Sequence, residues 1–246
     1  EDISKWDVSN SKSFLRTFKS ASSFDGDVSA WNVARSENFD GTFMFASSFT
    51  GDVSAWNVAK STSFSATFYK ASLFDGDVSK WNVSQSLDFT TMFYYASSFS
   101  GDLSSWDVSK AKSFMGMFTF ALRFDSDVSA WEVGECEDFQ GMFSYTENFN
   151  SDLGNWLVSN SISFRAMFQG AIGFNQDLSP WDVSNSQSFN LMFHGASSFF
   201  QTLCWTLPPL DEDFFSDMFT LSSGSVDQTC DRCGVAEHRY VSQDAT

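Results

Sequence analysis

Trp6, Trp31, Trp56, Trp81, Trp106, Trp131, Trp156 and Trp181 stand 25 residues apart, a beat held through eight units. Three phenylalanine columns keep the same period, from Phe14, Phe18 and Phe24 through to Phe189, Phe193 and Phe199, and they hold 24 of the chain's 30 Phe. Such self-similarity restricts the fold to a stacked array of like units. One 25-residue unit cannot cover a Trp and three Phe by itself, whereas a neighbour above and one below can. Stacked like rings add about 0.5–1.5 kcal/mol per pair beyond the area they bury.

Each unit reads in two halves. Val28-Ser29-Ala30-Trp31-Asn32-Val33 spaces its apolar residues L-x-x-L-x-L, and Trp31 and Val33 alternate with Asn32 as in a half-buried strand. Phe14, Phe18 and Ala21 follow the i, i+4, i+7 spacing of one helix face. The residue before the first Phe is Ser13, Asn38, Ser63, Asp88, Ser113, Asp138, Ser163 or Ser188, each a good N-cap. A turn such as Phe24-Asp25-Gly26-Asp27 then leads to the next unit. The expected fold is an α/β solenoid of leucine-rich-repeat-like, right-handed coils. Each 25-residue repeat has one short parallel strand, centred near its Trp, and one short helix. Residues 1–199 form eight repeats, and residues 200–246 form an irregular ninth repeat with a cysteine-containing C-terminal cap. Strand spacing near 4.8 Å makes a rod or shallow arc of roughly 40 Å.

The run Phe174-Asn175-Gln176-Asp177-Leu178-Ser179-Pro180-Trp181-Asp182-Val183-Ser184-Asn185, followed by Met192-Phe193-His194-Gly195-Ala196-Ser197-Ser198-Phe199, resembles the BspA-like leucine-rich repeats. These occur in bacterial surface lipoproteins and mycoplasma surface proteins, and in protist and algal proteins. The resemblance covers roughly residues 1–220, and it departs from the family in carrying Phe where members tend to have Met or a smaller residue. It implies a secreted or cell-surface protein used in adhesion, recognition or assembly, and it supplies no catalytic residues.

The net charge of −17, with 14 Lys+Arg against 31 Asp+Glu, repels nucleic acid and anionic lipid. No apolar stretch reaches the roughly 18 residues of a membrane span, so this segment is not expected to insert directly. The sequence starts mid-repeat at Glu1, which reads as a processed or trimmed end.

Four features are candidates for function. The first is an acidic column, Asp2, Asp27, Asp52, Asp77, Asp102, Asp127, Asp152 and Asp177. Carboxylates one coil apart repel by about 0.9 kcal/mol in water and ~3.5 at an effective dielectric near 20. Either each Asp caps its own turn, helped by a Ser such as Ser29, Ser54 or Ser79, or a Ca²⁺ ion sits between coils. In the second reading Asp25, Asp75, Asp125, Asn150 and Asn175 complete the site. The second feature is a polar face carrying Asp7, Asn32, Asn57, Asn82, Asp107, Glu132 and Asp182, a solvated surface with a glycan as a candidate ligand.

The third is an aromatic stripe just after the second helix Phe: Met44, Phe45, Tyr69, Tyr94, Tyr95, Phe120 and Tyr145, including four of the five Tyr. At 100° per residue its positions fall on the helix exterior and flank. It is confined to the second to sixth repeats, while the end repeats carry Lys19-Ser20, Gln169-Gly170 and His194-Gly195. A large exposed aromatic patch marks a contact surface for another protein chain, the same or different; the bland alternative tucks these rings against the next helix. The fourth is a cysteine set, Cys204, Cys230 and Cys233, where the repeat breaks. Terminal caps need stapling, so Cys204 bonded to Cys230 or Cys233 is expected, with a Cys₃His zinc site using His238 as the alternative. Cys136 replaces Ser in a Ser-rich column and reads as a buried small residue.

His194 and His238 are the only histidines, and no G-x-S-x-G, phosphate loop or H-E-x-x-H occurs. The chain is expected to be a non-catalytic extracellular or cell-surface module for protein–protein interaction or adhesion, without a required cofactor. The alternatives are a self-assembling subunit of an extracellular fibre or coat and, remotely, an ice-binding or calcium-binding solenoid, although no T-x-T array is present.

Overall fold

The computed structural model describes residues 2–209 and 212–229. Residues 25 apart are hydrogen-bonded neighbours along the chain. Ser13 bridges to Asn38, Asn38 to Ser63, and so on to Ser163 with Ser188, each as a single parallel pair. The extended pairing therefore runs through the residue before the first Phe. The expected position near the Trp is occupied instead by a tight turn, with the Trp31 N–H donating to the Val28 carbonyl at 3.1 Å. Among the described residues the only strands are the two-residue β1 (Thr202–Leu203) and β2 (Ser225–Val226), paired in parallel.

The expected helix is also replaced. Among the described residues there is no α-helix, only one 3-10 turn at Glu212–Phe214. In the second unit Thr42, Met44 and Ala46 donate N–H groups three residues back, to Phe39, Gly41 and Phe43. The N–H groups between them, from Gly41, Phe43 and Phe45, donate to Ser65, Thr67 and Tyr69 of the next unit at 2.7–2.8 Å. Half the donors a helix would use internally thus bind the next coil. Two left-handed residues per unit make this alternation, for example Gly41 (φ 58°) and Phe45 (φ 63°), and an α-helix admits neither. Seven of the eight N-cap candidates, Ser13 through Ser163, accept the N–H two residues on, Asn38 and Asp88 at 2.8 Å, although no helix follows them.

The rings fill the interior. Trp31 and Trp56 stack with centroids 6.5 Å apart and planes within 1°. Phe43 stacks on Phe68 at 5.5 Å and on Phe49 of its own unit at 3.9 Å. From Trp31 onward each indole also ties its coil to the one before: Trp56 Nε1 donates to Val28 O at 3.0 Å, and Trp181 to Leu153 O at 2.8 Å. The Trp ring buries its area without leaving its single donor unpaired.

Residues beyond the eighth Trp continue these columns with a shifted beat. Trp205 stacks on Trp181 at 6.3 Å, Phe215 on Phe189 at 5.6 Å and Phe219 on Phe193 at 5.4 Å. The Trp arrives one residue early and the Phe pair one residue late, which hides a ninth turn of the chain from a fixed period of 25.

Candidate functional site

The stripe residues follow the backbone alternation. Phe45, Tyr95, Phe120 and Tyr145 occupy one column, together with Ser20, Lys70, Gly170 and Gly195, and all eight have positive φ, between 54° and 72°. A side chain there costs about 1–2 kcal/mol relative to the right-handed region, which glycine avoids. Met44, Tyr69 and Tyr94 occupy the preceding column and are half-buried.

The structure brings six of the seven stripe residues into a continuous chain of ring contacts. Phe45 meets Tyr69 edge-on at 5.3 Å, Tyr69 stacks on Tyr94 at 4.7 Å, and Tyr94 lies 5.0 Å from Tyr95. Tyr95 then stacks on Phe120 at 4.2 Å and Phe120 on Tyr145 at 4.3 Å. Tyr95 remains 38% exposed. Burial, then its neighbours Tyr69 and Tyr95, push the Tyr94 hydroxyl above its ordinary pKa, so it stays protonated at neutral pH. The row ends against Gly170, where an added Cβ would lie 2.5 Å from Tyr145 Cδ1.

Lys70 was not among the stripe candidates, although it stands midway between Phe45 and Tyr95 in their column. Its ammonium lies 5.5 Å from the Phe45 ring centroid, 5.6 Å from Tyr69 and 5.4 Å from Tyr95. The 25-residue spacing marks the position, but a basic residue carries no sequence sign of belonging to an aromatic column. Around it lies an open groove of about 760 Å³ lined by Phe45, Lys70, Tyr95 and the serines Ser47, Ser72 and Ser97.

The acidic column caps turns. The Asp27 carboxylate accepts the Ser29 N–H at 2.9 Å and the Ser29 hydroxyl at 2.7 Å, and Asp77 does the same with Ser79. Asp52, Asp102, Asp127, Asp152 and Asp177 accept the N–H two residues on. These bonds hold Asp2, Asp27, Asp52, Asp77, Asp102 and Asp127 below the usual carboxylate pKa. Of the proposed additional donors, Asp25 accepts from Thr50, Asp75 from Ser100, Asn150 from Asn175, and Asn175 from Phe200. Their oxygens lash one coil to the next, and among the described residues no three His, Cys, Asp or Glu side chains converge as a metal site requires.

The polar face carries the same device, with Asn32, Asn57, Asn82, Asp107 and Asp182 accepting the N–H two residues on. Cys136 is buried and free, and burial pushes its thiol up to about 12. Cys204 is half-buried and disulfide-bonded. Cys230, Cys233 and His238 lie outside the described residues. No helix among the described residues is long and apolar enough to cross a membrane.

A family model described as a mycoplasma protein of unknown function, DUF285, matches residues 1–75, 62–156 and 126–224. Three overlapping matches of one model are what a repeated sequence produces. A search of curated proteins gave no match.

Proposed function

We propose that this chain, which belongs to the DUF285 mycoplasma family of unknown function, is a non-catalytic solenoid of the BspA-like kind that binds another protein chain through its outer aromatic stripe. One observation carries the reading: four of the stripe's six rings, Phe45, Tyr95, Phe120 and Tyr145, stand on backbone that disfavours them. Four of the eight residues in that column are Phe or Tyr, although Gly170 and Gly195 hold the same turn without side chains. Strain of this kind persists where something other than the local fold uses the side chain. Tyr suits such a role, because its ring buries well and its hydroxyl tolerates water before assembly.

A surface role outside the cell fits the acidic composition and the BspA-like resemblance, and an adhesion or recognition module is the function that follows. The partner is a different protein or a second copy of the chain. Light scattering without any ligand separates the two: growth into large assemblies marks a fibre or coat subunit, and a monodisperse monomer marks a binder.

The test of the stripe is the triple variant Tyr94→Ser, Tyr95→Ser, Tyr145→Ser. Association with the partner captured by the wild type, or with itself, is expected to weaken by ~2 kcal/mol or more, while the melting temperature stays nearly unchanged. A large fall in melting temperature, or undiminished association, would reduce the stripe to an outer layer of the core.

A further inference from the structure

The outer column is interrupted once among its aromatic members. Phe45 and Tyr95 lie two coils apart, and the level between them is held by the thin, charged side chain of Lys70 instead of a ring. We infer that the groove between Phe45 and Tyr95 binds a saccharide bearing a single carboxylate, with Lys70 as its counter-ion. This goes beyond the protein-binding stripe, with which the groove shares Phe45 and Tyr95.

Three features select that chemistry. The first is size. Two coil steps of about 4.8 Å separate the Phe45 and Tyr95 levels, and the Lys70 ammonium lies between them, 5.5 and 5.4 Å from the two ring centroids. A sugar ring therefore fits in the open groove of about 760 Å³ against one aromatic ring at about 3.5–4.0 Å, with its carboxylate turned to the ammonium. The apolar C–H face of a sugar ring stacks on aromatics in this way. The second is hydroxyl density: Ser20, Ser22, Ser47, Ser72 and Ser97 line the groove. The Ser47, Ser72 and Ser97 hydroxyls donate only long bonds of 3.3 Å, each to the serine carbonyl of the coil before, and their lone pairs remain free for a polyhydroxylated ligand. The main chain beside them is committed, with Ser48 and Ser98 donating to Ser22 and Ser72. It therefore offers little edge for an added peptide strand.

The third feature is charge. Lys70 makes no ion pair among the described residues; the ion pairs formed there involve Lys112 with Glu135 and Glu137. An ammonium held over three ring faces is partly stripped of water, which strengthens its pull on one carboxylate. The surrounding net charge of −17 repels a densely anionic polymer. One carboxylate on an otherwise neutral saccharide satisfies both conditions.

The test uses the full chain and isothermal titration with a trisaccharide ending in glucuronic acid, beside the same trisaccharide ending in glucose. Saturable binding of the acid is expected, at least about tenfold tighter than the neutral sugar and weaker at 1 M salt. Lys70→Met keeps the aliphatic stem over the rings and removes the charge; it should cost about tenfold or more in affinity and leave the melting temperature unchanged. Tyr145→Ser, outside the groove, should leave saccharide binding intact, so failure of the stripe and failure of the groove read out separately. The inference is overturned by absent saturable binding, by equal affinity for the neutral sugar, or by an unaffected Lys70→Met variant. A glutamate-containing peptide that binds where the saccharide does not would also overturn it, and would assign the groove to the protein partner.

Discussion

The inner and outer aromatic columns use the same residue types at the same 25-residue period, yet they stand on different backbone. Phe39, Phe43 and Phe49 are fully buried, none has positive φ, and their columns run unbroken through all eight 25-residue units. Phe45, Tyr95, Phe120 and Tyr145 stack as closely, at 4.2–4.3 Å where they adjoin. But they sit in left-handed turns and give way to Ser, Lys and Gly elsewhere in their column. The inner rings are explained by the need to cover one coil with the next. The outer rings are not, because coils with Gly170 and Gly195 close the same turn without them.

The sharpest way to break that comparison is a pair of truncations. Phe93 is fully buried, between Phe68 and Phe118 at 5.5 and 5.7 Å and against Phe99 at 4.0 Å. Phe93→Ala is expected to cost about 3–5 kcal/mol in urea-monitored stability. Phe120→Gly removes an equally stacked ring but also relieves a left-handed φ of 59°, so its net cost should lie within about 1 kcal/mol. Equal losses would make the outer column part of the core.

A smaller effect is expected at the end of the stripe. Gly170→Ala places a Cβ 2.5 Å from Tyr145 Cδ1 on a φ of 64°. The turn then carries the left-handed penalty of about 1–2 kcal/mol and the Tyr145 ring must swing away. Gly195→Ala carries only the backbone part, because its Cβ would approach nothing nearer than Gly170 at 3.8 Å. Thermal melts of the two variants should therefore differ, with Gly170→Ala lower and its partner association weakened. Identical melts would show that Tyr145 is not fixed against Gly170.

The comparison also shows what the sequence made legible. The period, the ring columns and the capping Ser, Asn and Asp are side-chain patterns, and they appear at their expected positions. The local backbone was harder to read. Phe14, Phe18 and Ala21 have helix spacing, but consecutive three-residue turns put residues four apart on one side as well, and only φ separates the two. Gly41, Gly116 and Gly141 at one left-handed site, with Gly170 and Gly195 at the other, were the available signal; the Phe, Tyr, Ala and Thr residues sharing those sites masked it. Trp205, Phe215 and Phe219 were missed because the ninth turn slips by one residue in each direction. Lys70 is hidden in the sequence because the other members of its stretch of the column, Phe45, Tyr95, Phe120 and Tyr145, are aromatic, and only the folded geometry sets its ammonium against the Phe45 and Tyr95 rings.

The smallest effect belongs to the Asp column, which tests whether a repeated polar feature is architecture in the way the inner rings are. Asp27, Asp52, Asp77, Asp102 and Asp127 are all held below the ordinary carboxylate value of 3.8 by Ser hydroxyl and backbone N–H donors. A folded pKa below the unfolded one means that the unfolded chain takes up protons first as the solution is acidified. The stabilisation is therefore present in full above about pH 4 and is lost as pH falls through the lowered folded values. These groups are well exposed, so solvent screens each contribution and only the sum over several coils should be measurable. Replacing all five with Asn keeps an oxygen acceptor in each turn and removes the titration. Melting temperatures between pH 5 and pH 2 should fall less steeply for that variant than for the wild type. Adding millimolar calcium at pH 7 should move neither protein. A calcium-dependent rise in the wild type that the Asn variant lacks would turn the column from a set of turn caps into a cation ladder. Superimposable acid limbs would show instead that the carboxylates' charge does not contribute to holding the turns.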